Sequence, residues 1–259
     1  MAEYVKLEVE AGIATILFNR AEAANALSRK MLQEINDVLD EVQYNPSVRV
    51  VIVSGKGQKA FCAGADLKER HGMTEMETKQ TVALIGQTVS HFESISKPVI
   101  AAINGVAFGG GLELALACDL RIASSAAKLG LTETSLGIIP GAGGTQRLPR
   151  LIGVGKAKEL IYTARRLTAE EAKDYGIVEY VEEPDNVWVK AVALAKEIAK
   201  NAPLSLEQAK TAINYGMQTD IATALQIESL AYSRLLPTED RLEGLKAFQE
   251  KRTPVYQGK

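Results

Sequence analysis

Residues 98–119, PVIAAINGVAFGGGLELALACD, decide how the chain is to be read. From Pro98 to Cys118 the stretch is apolar except for Asn104 and Glu113, which is long enough to raise the question of a membrane span. The turn signal Asn104-Gly105, the glycine triplet at 109–111 and the glutamate interrupt it. The expectation is therefore a buried strand over 98–103, a tight turn, and a short helix carrying Glu113. A carboxylate in apolar, glycine-rich surroundings is costly unless something uses it. Glu133 stands in a similar setting in KLGLTETSLGIIPGAGGTQRL, residues 128–148. These two acids are the first candidates for acid/base chemistry.

Working outward, residues 4–9 and 13–18 alternate about Ala11-Gly12, a hairpin signal. Ser28 is placed to cap an amphipathic helix with Met31, Leu32, Ile35, Val38, Leu39 and Val42 on its apolar face. Residues 48–53 read as a buried strand, a polar loop leads into FCAGAD, and a second helical pattern covers about 74–94. Strand, strand and helix recur with short connections, which predicts stacked ββα units more than a doubly wound sheet, although no repeat is visible in the residues. From Thr168, which with Glu171 spells a capping box, the chain reads as mostly helical. After Pro203 three amphipathic helices are punctuated by Gly216 and Pro237. Their apolar Ile221, Leu225, Leu230, Leu235 and Leu236 cannot be buried by such short helices alone. The expected division is a catalytic core over 1–195 and a helical region over 196–259.

The bulk numbers exclude several classes. With 259 residues, 46% hydrophobic and 24% charged, the chain suits one large or two unequal globular domains. Thirty basic against thirty-two acidic residues, a net charge of −2, give no general attraction to nucleic acid or anionic membranes. The strand pattern begins almost at once in YVKLEVE without a leader, and Cys62 and Cys118 lie in apolar contexts. Both features predict a cytoplasmic chain with reduced thiols. Gly153–Lys156 lacks the rest of a P-loop, and GAGGTQ lacks the dinucleotide fingerprint. His71 and His91 have no metal-ligand companions, and no GxSxG elbow occurs.

Three segments, FCAGADLKE (61–69), PVIAAINGVAFGGGLELALACD (98–119) and GIIPGAGGTQRLPR (137–150), resemble in order and spacing the crotonase superfamily, specifically its enoyl-CoA hydratase branch. The resemblance runs over nearly the whole chain. It implies an α/β spiral of stacked ββα units, C-terminal helices that pack on neighbouring subunits of a homotrimer or dimer of trimers, an acyl-CoA substrate, and no metal or separate cofactor. The implied reaction adds water to a short-chain 2-enoyl-CoA. Such chemistry needs two backbone N–H donors for the thioester oxygen, which only small residues let approach closely. By residue-for-residue match the donors are the amides of Ala65 and Gly110, the latter also opening a helix. Glu113 would hold and deprotonate the water, and Glu133 would protonate the α-carbon.

The same match assigns the CoA thioester to Ala24, Lys59, Ala63, Ala65, Asp66, Leu67, Lys68 and Gly110, with Phe248 and Lys251 reaching it from a neighbouring subunit. Asp66, with Asp119 and Arg147, also reads as a structural hydrogen-bonding residue. Glu22 departs from the family, many of whose members carry a lysine there. CAGADLKER, ALACDLRIA and PRLIGVGKAKELI look most like methylglutaconyl-CoA hydratases. Yet Arg147 and Arg150 fall in a structural helix start and Lys68 is assigned to CoA, so no receptor for a distal carboxylate stands out. Short neutral enoyl thioesters such as crotonyl-CoA are the expected substrates. A methylglutaconyl-CoA hydratase relative also binds RNA through a lysine-rich first helix. Here residues 27–44 hold two basic residues against four acidic ones, so counterion release cannot drive such binding. Isomerisation, dehalogenation or thioester hydrolysis on the same scaffold, and a purely structural oligomer, are the remaining readings.

Overall fold

The computed structural model describes residues 3–259. Strands β1 (Val5–Glu10) and β2 (Ile13–Phe18) pair antiparallel. Between them Ala11 and Gly12 take φ of 49° and 81°, the left-handed pair that a two-residue hairpin needs. Ser28 accepts the Met31 N–H and starts α1 (Arg29–Tyr44), whose six buried residues are the six picked out by periodicity. Glu34 on this helix accepts the N–H groups of Tyr4 and Val5 at 2.6 and 3.0 Å, pinning the first strand.

The chain then lays down two strands and a helical segment three times. The first round is β3 (Val50–Gly55), β4 (Ala60–Cys62), α2 (Leu67–Arg70) and α3 (Glu75–Ser94), the last opened by a capping box of Thr74 and Glu77. The second is β5 (Val99–Ile103), β6 (Val106–Phe108) and α4 (Gly110–Ala117). The third is β7 (Leu120–Ser124), β8 (Lys128–Gly130), α5 (Gly144–Ile152) and α6 (Val154–Thr163). Next come β9 (Leu167–Thr168), α7 (Ala169–Asp174), β10 (Tyr180–Glu182) and α8 (Val187–Ala199). Helices α9 (Pro203–Gly216), α10 (Ile221–Ser233) and α11 (Glu239–Glu250) finish the chain.

In each round the first strand joins one sheet and the second joins another. The larger sheet has the order β1-β2-β3-β5-β7-β10, parallel from β2 onward. The smaller has the order β4-β6-β8-β9, with its first three strands parallel. This is the α/β spiral of ββα units expected from the sequence. Strand β6 was not foreseen, because three residues after a turn carry no period of their own.

Both faces of the larger sheet are covered, so its central strands β3 and β5 are apolar apart from Ser54. Val51 and Val53 face the main core with Val99, Ala101 and Ile103. Val50 and Ile52 face the other way, with Ile100 and Ala102, against Val187, Ala191 and Ala195 of α8. The division expected between 195 and 196 falls inside this helix. Beyond it, α9 is tied to the core by Lys210–Asp119 at 2.9 Å and Lys97–Glu207 at 2.7 Å, and the C-terminal tail by Arg49 to the Tyr256 carbonyl at 2.6 Å. Ile221, Leu225, Leu230, Leu236 and Phe248 remain exposed, whereas Leu235 is half-buried.

All eight residues of α4 are buried. The helix lies so close on β4 that a Cβ at Gly111 would sit 2.0 Å from the Cys62 carbonyl oxygen. Gly111→Ala is expected to cost about 1–3 kcal/mol by overpacking. Gly72→Ala, at a position where a Cβ meets nothing within 4 Å, should shift the denaturation midpoint little. Equal midpoints for the two variants would contradict this packing.

Candidate active site

Strands β4, β6 and β8 are parallel neighbours, so their C-terminal ends emerge side by side, the place where open parallel sheets bind ligands. After β4 the chain passes Ala63, Gly64 and Ala65. After β6 it reaches Gly109 and the start of α4, and after β8 the 3-10 turn Glu133–Leu136.

Backbone pairing fixes the first of these segments. The Ala63 N–H donates to the Ala24 carbonyl at 3.1 Å, the Leu27 N–H to Gly64 at 2.8 Å, and the Asp66 N–H to Leu27 at 3.1 Å. Asp66 caps α2 by accepting the Lys68 and Glu69 N–H groups and pairs with Arg20 at 2.6 Å. Its carboxylate is thus committed to structure. Gly109 has φ 50° and ψ −123°, which turns the chain into α4. A Cβ on Gly110 would lie 3.8 Å from the Ala65 nitrogen, and one on Gly64 would lie 3.3 Å from the Gly110 nitrogen. Among the described residues neither the Ala65 nor the Gly110 N–H donates to a protein acceptor. Two adjacent donors are therefore free, one of them at a helix N-terminus whose first amides have no intrahelical partner.

Glu113, one turn into α4, is 2% exposed. Its Oε1 accepts the Ala142 N–H at 2.8 Å and the Gly144 N–H at 2.7 Å. Burial pushes its carboxyl above the ordinary range, while these two donors and the Arg147 charge pull against that shift. Arg147 braces the same turn, donating to the Ala142 carbonyl at 2.9 Å and pairing with Glu93 of α3 at 2.6 Å. Glu133 is placed differently. Its Oε1 lies 3.0 Å from where Gly109 would carry a Cβ, and its Oε2 is buried without a protein hydrogen-bond partner. Burial, with the Glu113 charge adding to it, pushes this carboxyl up to about 7. At neutral pH the pair is thus poised with Glu113 as the better carboxylate and Glu133 as the better acid.

Both acids open on a cavity of about 700 Å³. Of the residues expected to touch substrate, Ala63, Ala65, Leu67, Gly110, Glu113 and Glu133 line it. Ala24 sits behind Ala63, and Lys59 and Lys68 are exposed beside the segment, outside the lining. Phe248, 85% exposed on α11, and Lys251, which caps its C-terminus, do not contribute to the wall. The far wall is apolar, with Val82 and Ile85 from α3 and Leu136, Ile138 and Ile139 after Glu133. Two arginines that the sequence reading passed over, Arg70 and Arg166, also line the cavity. Both place a cation at the cavity wall, where no receptor for a distal carboxylate had stood out in the sequence. The signal was present in the motif ADLKER, but Arg70 there reads as an ordinary helix-surface charge. Among the described residues no three His, Cys, Asp or Glu side chains come together as a metal-ligand set, and no helix is long and apolar enough to cross a membrane.

Comparison with known proteins gives a consistent picture. Residues 8–259 match the family model for enoyl-CoA hydratase/isomerase. The chain is 58% identical over 95% of its length, and 95% of the relative's, to a Bacillus subtilis protein provisionally named as the enoyl-CoA hydratase/isomerase YngF. It is 47% identical to the human mitochondrial methylglutaconyl-CoA hydratase, covering 97% of this chain and 75% of that one. A crystal structure of an enoyl-CoA hydratase from Bacillus anthracis superposes with a TM-score of 0.98 at 53% identity, covering 99% of this chain and 100% of that one.

The raised Glu133 carboxyl has a stability consequence. Ionising it costs more in the folded chain than in the unfolded one, where its value is near 4.5. The penalty is absent below that value and fully present above about 7. Glu133→Gln is therefore expected to gain stability relative to the wild type between pH 5 and pH 8, read from thermal midpoints at each pH. A difference that does not change with pH would contradict the placement.

Proposed function

The chain belongs to the enoyl-CoA hydratase/isomerase family, and from that premise we propose that it adds water across the double bond of a short-chain 2-enoyl-CoA to give the 3-hydroxyacyl-CoA. The observation that carries this reading is the pair of unlike glutamates beside two free backbone donors. An isomerase that shuttles one proton needs a single base, whereas hydration needs one group to activate water and another to supply a proton. Glu113, whose carboxyl accepts two backbone N–H groups that oppose its upward shift, suits the first role, and Glu133, with its raised carboxyl and unpartnered oxygen, suits the second.

The thioester oxygen rests between the Ala65 and Gly110 amides, which stabilise the charge that develops as the double bond is attacked. Glu113 takes a proton from water as its oxygen bonds to the β-carbon. Glu133 gives its proton to the α-carbon, closing the enolate. The two carboxyls end with their protonation exchanged, and proton transfer through solvent restores them. A distinct reading for the acyl group, a methylglutaconyl thioester, draws support from the 47% identity to the human enzyme of that name.

The assembly we propose is a homotrimer or a dimer of trimers. The exposed apolar side chains of α9–α11, such as Ile221 at 75% and Leu230 at 69%, are too many for a surface facing water. The buried free thiols of Cys62 and Cys118 suit a cytoplasmic setting.

Glu113→Gln and Glu133→Gln are each expected to lower crotonyl-CoA hydration by about 10²–10⁴, followed as loss of the conjugated enoyl absorbance. In the wild type kcat/KM should fall as pH rises through about 7, because Glu133 then loses the proton it donates. Wild-type turnover in either variant would remove the role assigned to that residue. Light scattering should find a trimer or hexamer at micromolar concentration, and a stable monomer would remove the proposed assembly.

A further inference from the structure

Arg70 is the last residue of α2, and its side chain lines the cavity beside Thr78 and Val82 of α3. Its Nε is buried and has no protein acceptor. The other arginines drawn into the body of the fold spend their guanidinium groups inside the chain. Arg20 pairs with Asp66, Arg49 donates to two carbonyls, Arg121 pairs with Glu179, and Arg147 pairs with Glu93. A buried Nε–H without an acceptor is destabilising, and the planar guanidinium fork that carries it matches a carboxylate in a two-point contact. The surrounding wall is apolar, so an anionic substituent entering this part of the cavity needs a partner of opposite charge.

We propose that Arg70 is the receptor for a carboxylate at the distal end of the acyl group, so that the site prefers thioesters of dicarboxylic acids to neutral ones of similar length. The contact does more than select. The Arg70 charge reaches Glu133 and pulls its carboxyl downward. A substrate carboxylate on Arg70 offsets that pull and leaves Glu133 in the protonated form that proton donation requires. Selection and readiness of the acid are then coupled through one side chain. Arg166, the other cation of the wall, lies over the Phe108 ring at 4.9 Å and is exposed, so water already solvates it and it has less need of a ligand.

The test has a binding arm and a kinetic arm, and only the kinetic arm rests on the hydratase reading. Calorimetry on the full-length protein compares two saturated, unreactive thioesters, glutaryl-CoA and butyryl-CoA, for wild type, Arg70→Met, Arg70→Lys and Arg166→Met. The expected result is at least tenfold tighter glutaryl-CoA binding in the wild type. That preference should be lost in Arg70→Met, partly kept in Arg70→Lys and retained in Arg166→Met. In the kinetic arm the ratio of kcat/KM for glutaconyl-CoA over crotonyl-CoA should fall at least tenfold in Arg70→Met. Equal affinity of the wild type for the two thioesters overturns the proposal. So does a preference that survives Arg70→Met, one that is lost with Arg166→Met instead, or an equal weakening of both thioesters in Arg70→Met, which would mark a merely structural role. If Arg70→Met fails to fold, the wild-type preference and its partial retention in Arg70→Lys decide the matter. A wild type that prefers glutaryl-CoA yet hydrates no enoyl thioester would sink the hydratase reading and leave the receptor standing.

Discussion

The two hydrogen bonds from the Ala142 and Gly144 amides to the Glu113 carboxylate are what the rest of the site depends on. Helix α4 is buried on every side, and an ionised group inside it would be destabilising by several kcal/mol without partners. Supplying backbone donors there demands a turn of small residues, since a Cβ on Gly144 would lie 3.0 Å from the carboxylate oxygen. It also demands that the turn be held. Arg147 does so from α5 while pairing with Glu93 on α3. Three helices are thus locked together around one charge, and the glycine start of α4 is positioned as a by-product.

Glu133 shows how a different setting yields a different acid. It sits on a short 3-10 turn, lacks paired donors on its Oε2, and feels the negative charge of Glu113. Burial and the Glu113 charge favour the neutral form, against a backbone hydrogen bond and the Arg70 charge that favour the ionised one.

How much of this could be read from the sequence follows the range of the interactions involved. The α1 stripe, the Ala11-Gly12 hairpin and the Thr168–Glu171 capping box are local, and each forms as the residues dictate. The glutamates were conspicuous because a charge among glycines and leucines is costly wherever the fold places it. Strand β6 escaped because its three residues become a strand only through pairing with β4 and β8. Arg70 escaped because α2 has only four residues and looks solvent-facing in sequence, whereas the fold sets Arg70 in one cavity wall with Thr78, Val82 and Ile85 of α3. Phe248 on α11 and Lys251 just past its end stand outside the cavity lining of their own chain.

The three parallel strand ends divide the labour in a way that bears on how such a site can change over evolutionary time. The β4 end contributes a backbone donor, the β6 end a donor and a rooted carboxylate, and the β8 end the proposed proton source on a short 3-10 turn. Alteration at the β8 end leaves the other two intact, because neither relies on Glu133 for its hydrogen bonds. Reaction type can therefore drift by replacement at one strand end while thioester binding is inherited unchanged. Divergence of chemistry is cheap on this scaffold, and loss of thioester recognition is not.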